Sequence, residues 1–369
     1  MGIYEELGIR PVINATATLT KLGGSVMPPE VVAAMQDAAR CFVDLEDLLV
    51  KVGAKLAELT HNESAYVSSG AAAGITLAVA ACLTGADRAL MDRLPNTAGM
   101  KDEIIVFKSH RNGYDHAARM VGVKMIEIGT ATHTDPTELE TAINHKTAAF
   151  LWFQGGMSGR ADFPLQTVID ICASRGVPVL VDAAAQLPPV ENLWRFTQMG
   201  ATCAIFSGGK DLRGPQSSGL VVGKKWLIDA MRPNGNPNAS IGRPMKVGKE
   251  EMAGLLAAVK RYLTLDHEAR CRRDEAVVAT WLTAFNALPN VHAVRGYPNE
   301  AGQPLPRCEL LLAPDARLTR DELAQRLREG DPCIVAMGTG NANGLFLNPM
   351  TLTDDQTAIV QARIVELLG

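Results

Sequence analysis

The sequence predicts an α/β protein with a central, mostly parallel seven-stranded sheet covered by helices on both faces, followed by a smaller α+β C-terminal domain. Two observations lead there. Between Glu63 and Gly223, short apolar runs rich in β-branched residues alternate with longer helical patterns, and strand, helix, strand in that order builds a parallel sheet. After Lys249 the alternation stops, and long helical stretches lead into a few strands.

Taken in order, residues 1–35 form an arm expected to pack on the small domain or to reach a partner subunit. The large domain spans 36–250, with strands at SAYVSSG, EIIVFKS, VKMIEIG, TAAFLWFQ, VPVLVDAA, ATCAIFSGG and GLVVG. Helices are expected over AAAGITLAVAACLTG and FPLQTVIDICASRG, whose apolar residues recur at helical spacing. Residues 251–369 form the small domain. Two helical stretches, 250–265 and 267–288, precede strands at VHAVRGY and RCELLLAP, a helix at 319–329, strands at PCIVAMG and GLFLN, and a last helix at 353–368.

Composition narrows the function. With 369 residues, 47% of them apolar, the chain can bury a large core. Its formal net charge of −4 provides no global positive field for nucleic acid or an anionic membrane, so any bound anion must be gripped locally. Seven scattered cysteines without a CxxC pair fit reduced thiols and exclude a zinc motif, so no metal is expected. The first residues, MGIYEELGIR, are acidic where a signal peptide needs a basic start, and no stretch reaches the roughly 18 apolar residues of a membrane span. A cytoplasmic protein is expected.

Four stretches fall at successive strand ends, where parallel sheets bind their ligands. In YVSSGAAAG a strand runs straight into a helix, offering the amides of Gly70, Ala71 and Ala72 and the hydroxyls of Ser68 and Ser69 to a phosphate. In VPVLVDAAAQLP, Asp182 ends an apolar strand, where a buried carboxylate needs a cationic partner such as a protonated pyridine nitrogen. In AIFSGGKDLRGPQSSG, Lys210 follows another apolar strand, and an apolar setting lowers a lysine's pKa enough to make it a nucleophile and base. Ser207 adds a hydroxyl for the phosphate, and Gly208 and Gly209 let the backbone approach a flat ring. In IIVFKSHRNGYDHA, His110 is placed to stack on such a ring, with Tyr114 and His116 as competitors. Gln154, closing AFLWFQ, is a candidate partner for the ring's phenolic oxygen or for substrate.

Each stretch alone has an ordinary structural explanation. Their order, with Asp182 and Lys210 28 positions apart, is that of a pyridoxal 5′-phosphate (PLP) site, with Lys210 as the Schiff-base lysine and Asp182 as the partner of the ring nitrogen.

With these motifs assembled, nearly the whole chain resembles fold-type I PLP-dependent enzymes, and more closely their selenocysteine-synthase-like branch. The shared segments are RPVINATATLTKLGGS, VSSGAAAG, KSHRNGYDHA, VDAAAQLPP, FSGGKDLRGPQSSG and IGRPMKVGKEEMAGLLAAVKRYL. The resemblance implies a catalytic set of Lys210, Asp182 and His110, with Ser69, Gly70, Ala71 and Ser207 on the phosphate. The layout matches the D-glucosaminate-6-phosphate ammonia-lyase members, and the extra N-terminal domain of the tRNA-dependent members is missing. It therefore implies a small anionic amino acid or amino sugar acid as substrate, with Arg213, Arg243 and Lys246 supplying positive charge. Thr20 and Lys21, on the opening arm, would complete a site shared within a homodimer or larger homo-oligomer. One departure stands out, because PCIVAMGTGNANG has no arginine where many fold-type I enzymes clamp a carboxylate.

The expected reaction is α-proton abstraction and β-elimination, giving a 2-keto acid and ammonia. A racemase or epimerase, an aldolase and an aminotransferase are alternatives within the same chemistry. A non-catalytic PLP-fold binding protein and a selenium-transferase-like protein are alternatives outside it.

Overall fold

Every residue of TAAFLWF is buried, a pattern sustained by a strand covered on both faces. In the computed structural model, which describes residues 2–156 and 163–369, this run is an interior strand of a seven-stranded sheet. The strands, in chain order, are β1 (Val12–Asn14), β2 (Ser64–Ser68), β3 (Glu103–Phe107), β4 (Lys124–Ile128), β5 (Thr147–Phe153), β6 (Val179–Asp182), β7 (Cys203–Ser207), β8 (Gly219–Gly223), β9 (Val291–Gly296), β10 (Arg307–Leu312), β11 (Cys333–Val335), β12 (Met337–Gly338) and β13 (Gly344–Leu347).

The large sheet has the order β2-β8-β7-β6-β5-β3-β4, and every neighbouring pair is parallel except the two made by β8. Ser68, Phe107, Phe153, Asp182 and Ser207 therefore end their strands on one edge. Gly219, which opens β8, pairs with both Ser68 and Ser207 and so ties two of those ends together.

The helix Ala71–Thr84 is buried almost all round and lies directly on this sheet. Gly74 permits that approach, because a Cβ there would stand 2.8 Å from Ile205 and 2.9 Å from Val221. Phe107, Phe150 and Phe206 fill the sheet's interior with at most 1% exposure, each contributing about 1.5–3 kcal/mol of burial.

The chain divides into two units, Met27–Leu265 and the pair of segments Met1–Val26 and Asp266–Gly369. These boundaries differ from 35 and 250 for a packing reason. The helix Pro29–Ala38 packs on the helix Lys249–Tyr262, with Met35 against Gly254, so both helices belong to the large unit. In the second unit, β1 pairs in parallel with β11, which builds the opening segment into it. Its four-stranded antiparallel sheet, β12-β13-β10-β9, is covered on one face, so β10 alternates with Cys308, Leu310 and Leu312 turned into the core. Trp281 and Phe285 from the helix His267–Phe285 and Val360 and Ile364 from the helix Asp354–Leu368 complete that core. Capping boxes at Thr319 with Glu322 and Thr353 with Gln356 fix the starts of its last two helices.

Gly74→Ala is expected to cost about 1–3 kcal/mol, since both facing side chains are β-branched and stiff. Urea unfolding of the variant beside the parent measures this, and equal midpoints would contradict the packing.

Candidate active site

Asp182 sits at the end of β6 with only 8% of its surface exposed. Its backbone is pinned from both neighbouring strands, accepting from the Gln154 N–H at 2.9 Å and pairing with Ile205. The Ala184 N–H donates to Oδ1 at 3.0 Å, and among the described residues no cation closes an ion pair with this carboxylate. Burial pushes the Asp182 carboxyl above the ordinary range, against the pull of that amide and of the Lys210 charge.

Lys210 stands in the turn after β7, half-buried. Burial lowers the pKa of its ammonium, while the charge of Asp182 opposes the shift. The two side chains feel one another's charge without touching. They come from adjacent strands and share the sheet edge that the sequence predicts for them.

The glycines before Lys210 are closely packed. A side chain on Gly208 would collide with Ser218 and Leu255, and one on Gly209 with Gln216. The segment 215–218 folds back under the lysine turn, joined by the Gly208 N–H to Ser218 O bond of 2.8 Å. Asp211, next in sequence, is 4% exposed and accepts a 2.8 Å bond from the Tyr262 hydroxyl.

On the other side of Gly219, β2 delivers the start of the helix Ala71–Thr84. Gly70 has φ 147° and ψ 166°, a conformation that favours glycine, and no side chain caps the helix. The amides of Ala71 and Ala72 therefore lie at a helix N-terminus that no side chain caps, where the helix dipole favours negative charge. Ser69, Gly70 and Ala71 are half-buried and Ala72 is exposed. Ser68 differs from the expectation, because its side chain is 1% exposed and its hydroxyl donates to Gly70 O at 2.8 Å. It shapes the turn from inside and is not a phosphate ligand. Ser207, half-buried, pairs with the same Gly219 and so lies on the same edge.

His110 also differs. It has no exposed surface and stands edge-on to Phe107 and Trp152, with ring centroids 5.2 Å and 4.8 Å away. Its Nδ1 accepts from the Phe153 N–H at 3.4 Å. It thus backs the end of β5. Tyr114 and His116 are exposed on the loop that follows. Asp115 anchors that loop: burial pushes its carboxyl up, but hydrogen bonds from Arg111 and Arg119 outweigh this and hold it below the ordinary range. Gln154 accepts a 2.8 Å bond from the Trp152 indole, which fixes its amide at the end of β5.

Among the substrate candidates, Arg213 is half-buried in the lysine turn, and Arg243 and Lys246 are exposed in the same unit. Arg243 donates to Asn236 Oδ1 at 3.4 Å. Thr20 and Lys21 are exposed on a 3-10 turn of the other unit. Sequence reasoning missed Trp152, Asp211, Gln216 and Tyr262. Only Asp211 carried a signal, as an acid beside a strand-end lysine.

The sequence pattern of the L-seryl-tRNA selenium transferase (SelA) family matches residues 12–280. The chain belongs to the SelA family. This SelA-family chain is similar to D-glucosaminate-6-phosphate ammonia lyase of Salmonella typhimurium, at 33% identity over 99% of this chain and 98% of that protein. It is equally similar to 5′-C-glycyluridine monooxygenase-decarboxylase of a Streptomyces species, at 34% identity over 99% and 92%. The solved structure of D-glucosaminate-6-phosphate ammonia-lyase superimposes with a TM-score of 0.86 at 30% identity, over 100% of this chain and 98% of that one. The fold also matches serine palmitoyltransferase of S. paucimobilis, solved with bound PLP, with a TM-score of 0.60 at 14% identity over 96% and 87% of the two chains.

A raised carboxyl pKa makes a signed prediction for the ligand-free protein. The folded state holds the Asp182 proton above the unfolded value near 3.8, so the parent loses stability as pH rises from there through the raised folded value. Asparagine does not titrate and keeps an oxygen for the Ala184 amide. Ligand-free Asp182→Asn is therefore expected to gain on the parent as pH rises through that window. Thermal unfolding against pH measures the difference, and a pH-independent gap would contradict it.

Proposed function

We propose that this protein is a PLP-dependent ammonia-lyase acting on an anionic amino acid or amino sugar acid. The observation that carries the reading is the placement of Asp182 and Lys210 at the ends of the adjacent strands β6 and β7, on the sheet edge that also holds the uncapped start of the helix Ala71–Thr84. The residues fit the group. A buried carboxylate with no cation suits a protonated ring nitrogen, an amine with a lowered pKa suits an aldehyde, and an uncapped helix start suits a phosphate.

In this reading Lys210 holds the aldehyde, Asp182 keeps the ring nitrogen protonated, and the amides of Gly70, Ala71 and Ala72 hold the phosphate with the Ser69 and Ser207 hydroxyls. Bound PLP supplies an electron sink next to the carbon that bears the substrate's amine. Once the substrate's amine has replaced Lys210 at the aldehyde, Lys210 Nζ would be free to take the proton from that carbon, and burial favours its neutral form. Loss of that proton and a β-hydroxyl, together as one water, would leave an enamine that a second water converts to a 2-keto acid and ammonia. Arg213, Arg243 and Lys246 supply positive charge for an anionic substrate. Gln154, held by Trp152, is the residue we assign to the ring's phenolic oxygen or to substrate.

We place the protein in the cytoplasm as a homodimer or larger homo-oligomer, in which Thr20 and Lys21 reach a shared site. Seven free cysteines and the absence, among the described residues, of a helix long and apolar enough to cross a membrane support the location.

A second reading has comparable sequence support, since the 5′-C-glycyluridine monooxygenase-decarboxylase is 34% identical. In it the same pocket would accept a nucleoside-linked amino acid and consume oxygen with loss of carbon dioxide.

D-Glucosaminate 6-phosphate is the test substrate for the first reading. The purified protein is expected to release ammonia and a 2-keto acid in equal amounts, with or without air, and Lys210→Ala is expected to lower the rate roughly 10²- to 10⁴-fold or more. Oxygen-dependent release of carbon dioxide, or a fully active Lys210→Ala protein, would overturn it.

A further inference from the structure

The segment GKEEMAGLLAAVKRYL takes no part in the chemistry above, yet its helix, Lys249–Tyr262, packs against the turn that carries Lys210. Leu255, Ala258 and Tyr262 fall at i, i+3 and i+7, on one helical face, and none has any exposed surface. Leu255 lies 2.8 Å from the position of a Cβ on Gly208, and Ala258 lies 3.2 Å from one on Gly214. Tyr262 donates to Asp211 Oδ2 at 2.8 Å. Between these contacts the turn closes on itself, through Gly214 N–H to Gly208 O at 2.8 Å and Arg213 N–H to Lys210 O at 2.9 Å. Lys210 and Arg213 are thus the half-buried members of a small backbone ring, and the neighbours of Lys210, Gly209 and Asp211, are buried.

We infer that Asp211 and Tyr262 are positioning residues for Lys210: the hydrogen bond between them clamps the turn to the helix and so fixes where the lysine amine stands. The inference rests on reading Lys210 as the amine that holds the cofactor. Burial and the charge of Asp182 act on that amine, while the Asp211 carboxylate accepts from Tyr262. Position, not charge, is then the quantity to perturb.

Three variants separate these possibilities in the full-length protein, reconstituted with PLP. Tyr262→Phe keeps the ring and loses the donor, Asp211→Ala loses the acceptor, and Asp211→Asn keeps an acceptor while losing the charge. The readouts are the rate at which borohydride fixes PLP to Lys210, located by mass spectrometry, the pH midpoint of the bound cofactor's visible band, and the melting temperature of each ligand-free protein. Tyr262→Phe and Asp211→Ala are expected to slow trapping roughly tenfold, the effect of losing one hydrogen bond to a charged group, and to shift the midpoint. Asp211→Asn is expected to stay within about twofold of the parent, since Tyr262 still has an oxygen to bind.

Parent-like trapping and midpoint in Tyr262→Phe would overturn the inference, as would an Asp211→Asn protein as impaired as Asp211→Ala. A drop in melting temperature with trapping unchanged would also overturn it, leaving the pair a structural role only. A parent that does not trap PLP at Lys210 would overturn both this inference and the proposed cofactor role. A parent that traps it but releases no ammonia would overturn the ammonia-lyase reading alone, and the trapping ratios among the variants would still decide this one.

Discussion

A carboxylate buried at a strand end, with an amide but, among the described residues, no cation paired to it, is the constraint around which the large unit is arranged. Leaving such a group ionised costs several kcal/mol unless a positive partner arrives. The fold nonetheless holds Asp182 in place from three directions, by the Gln154 and Ala184 amides and by pairing with β7. A site that fixes a costly charge and withholds its partner is built to bind that partner. Lys210 does not fill the role, since its own ammonium is disfavoured by the same burial and the two groups do not form an ion pair.

The single antiparallel strand explains how the remaining parts come into register. Because β8 runs against its neighbours, Gly219 at its start lies beside the ends of both β2 and β7, which places the uncapped helix start and the lysine turn on one edge. A Cβ on Gly219 would stand 2.5 Å from the Gly70 carbonyl carbon and 2.6 Å from Ser68 Oγ, so the two loops are packed together through this residue. Ser68 belongs to that packing. Its hydroxyl is spent on the Gly70 carbonyl, and this bond helps hold Gly70 in the conformation that leaves the helix amides unobstructed.

Much of this was legible in the sequence. The strand order could not be read, but strand identity could, because apolar runs such as EIIVF and VPVLVD are too short for helices and end in turn residues. Asp182 and Lys210 were readable because an ion is conspicuous at the end of an apolar strand. The failures share one cause, that side-chain direction is set by packing partners distant in sequence. His110 looked available from its neighbours, and only Phe107 and Trp152 show it enclosed. Tyr262 could not have been connected with Lys210 at all, since the link runs through Asp211 from a helix 51 positions further along.

The most direct measurement of the central claim is the protonation state of the cofactor's ring nitrogen. Protein loaded with PLP carrying nitrogen-15 in the ring would be read by NMR at neutral pH, in the parent and with asparagine at position 182. The account predicts a protonated nitrogen in the parent and a largely neutral one in the variant. The same protonation state in both proteins would contradict it, because the buried carboxylate would then have no ring to answer to.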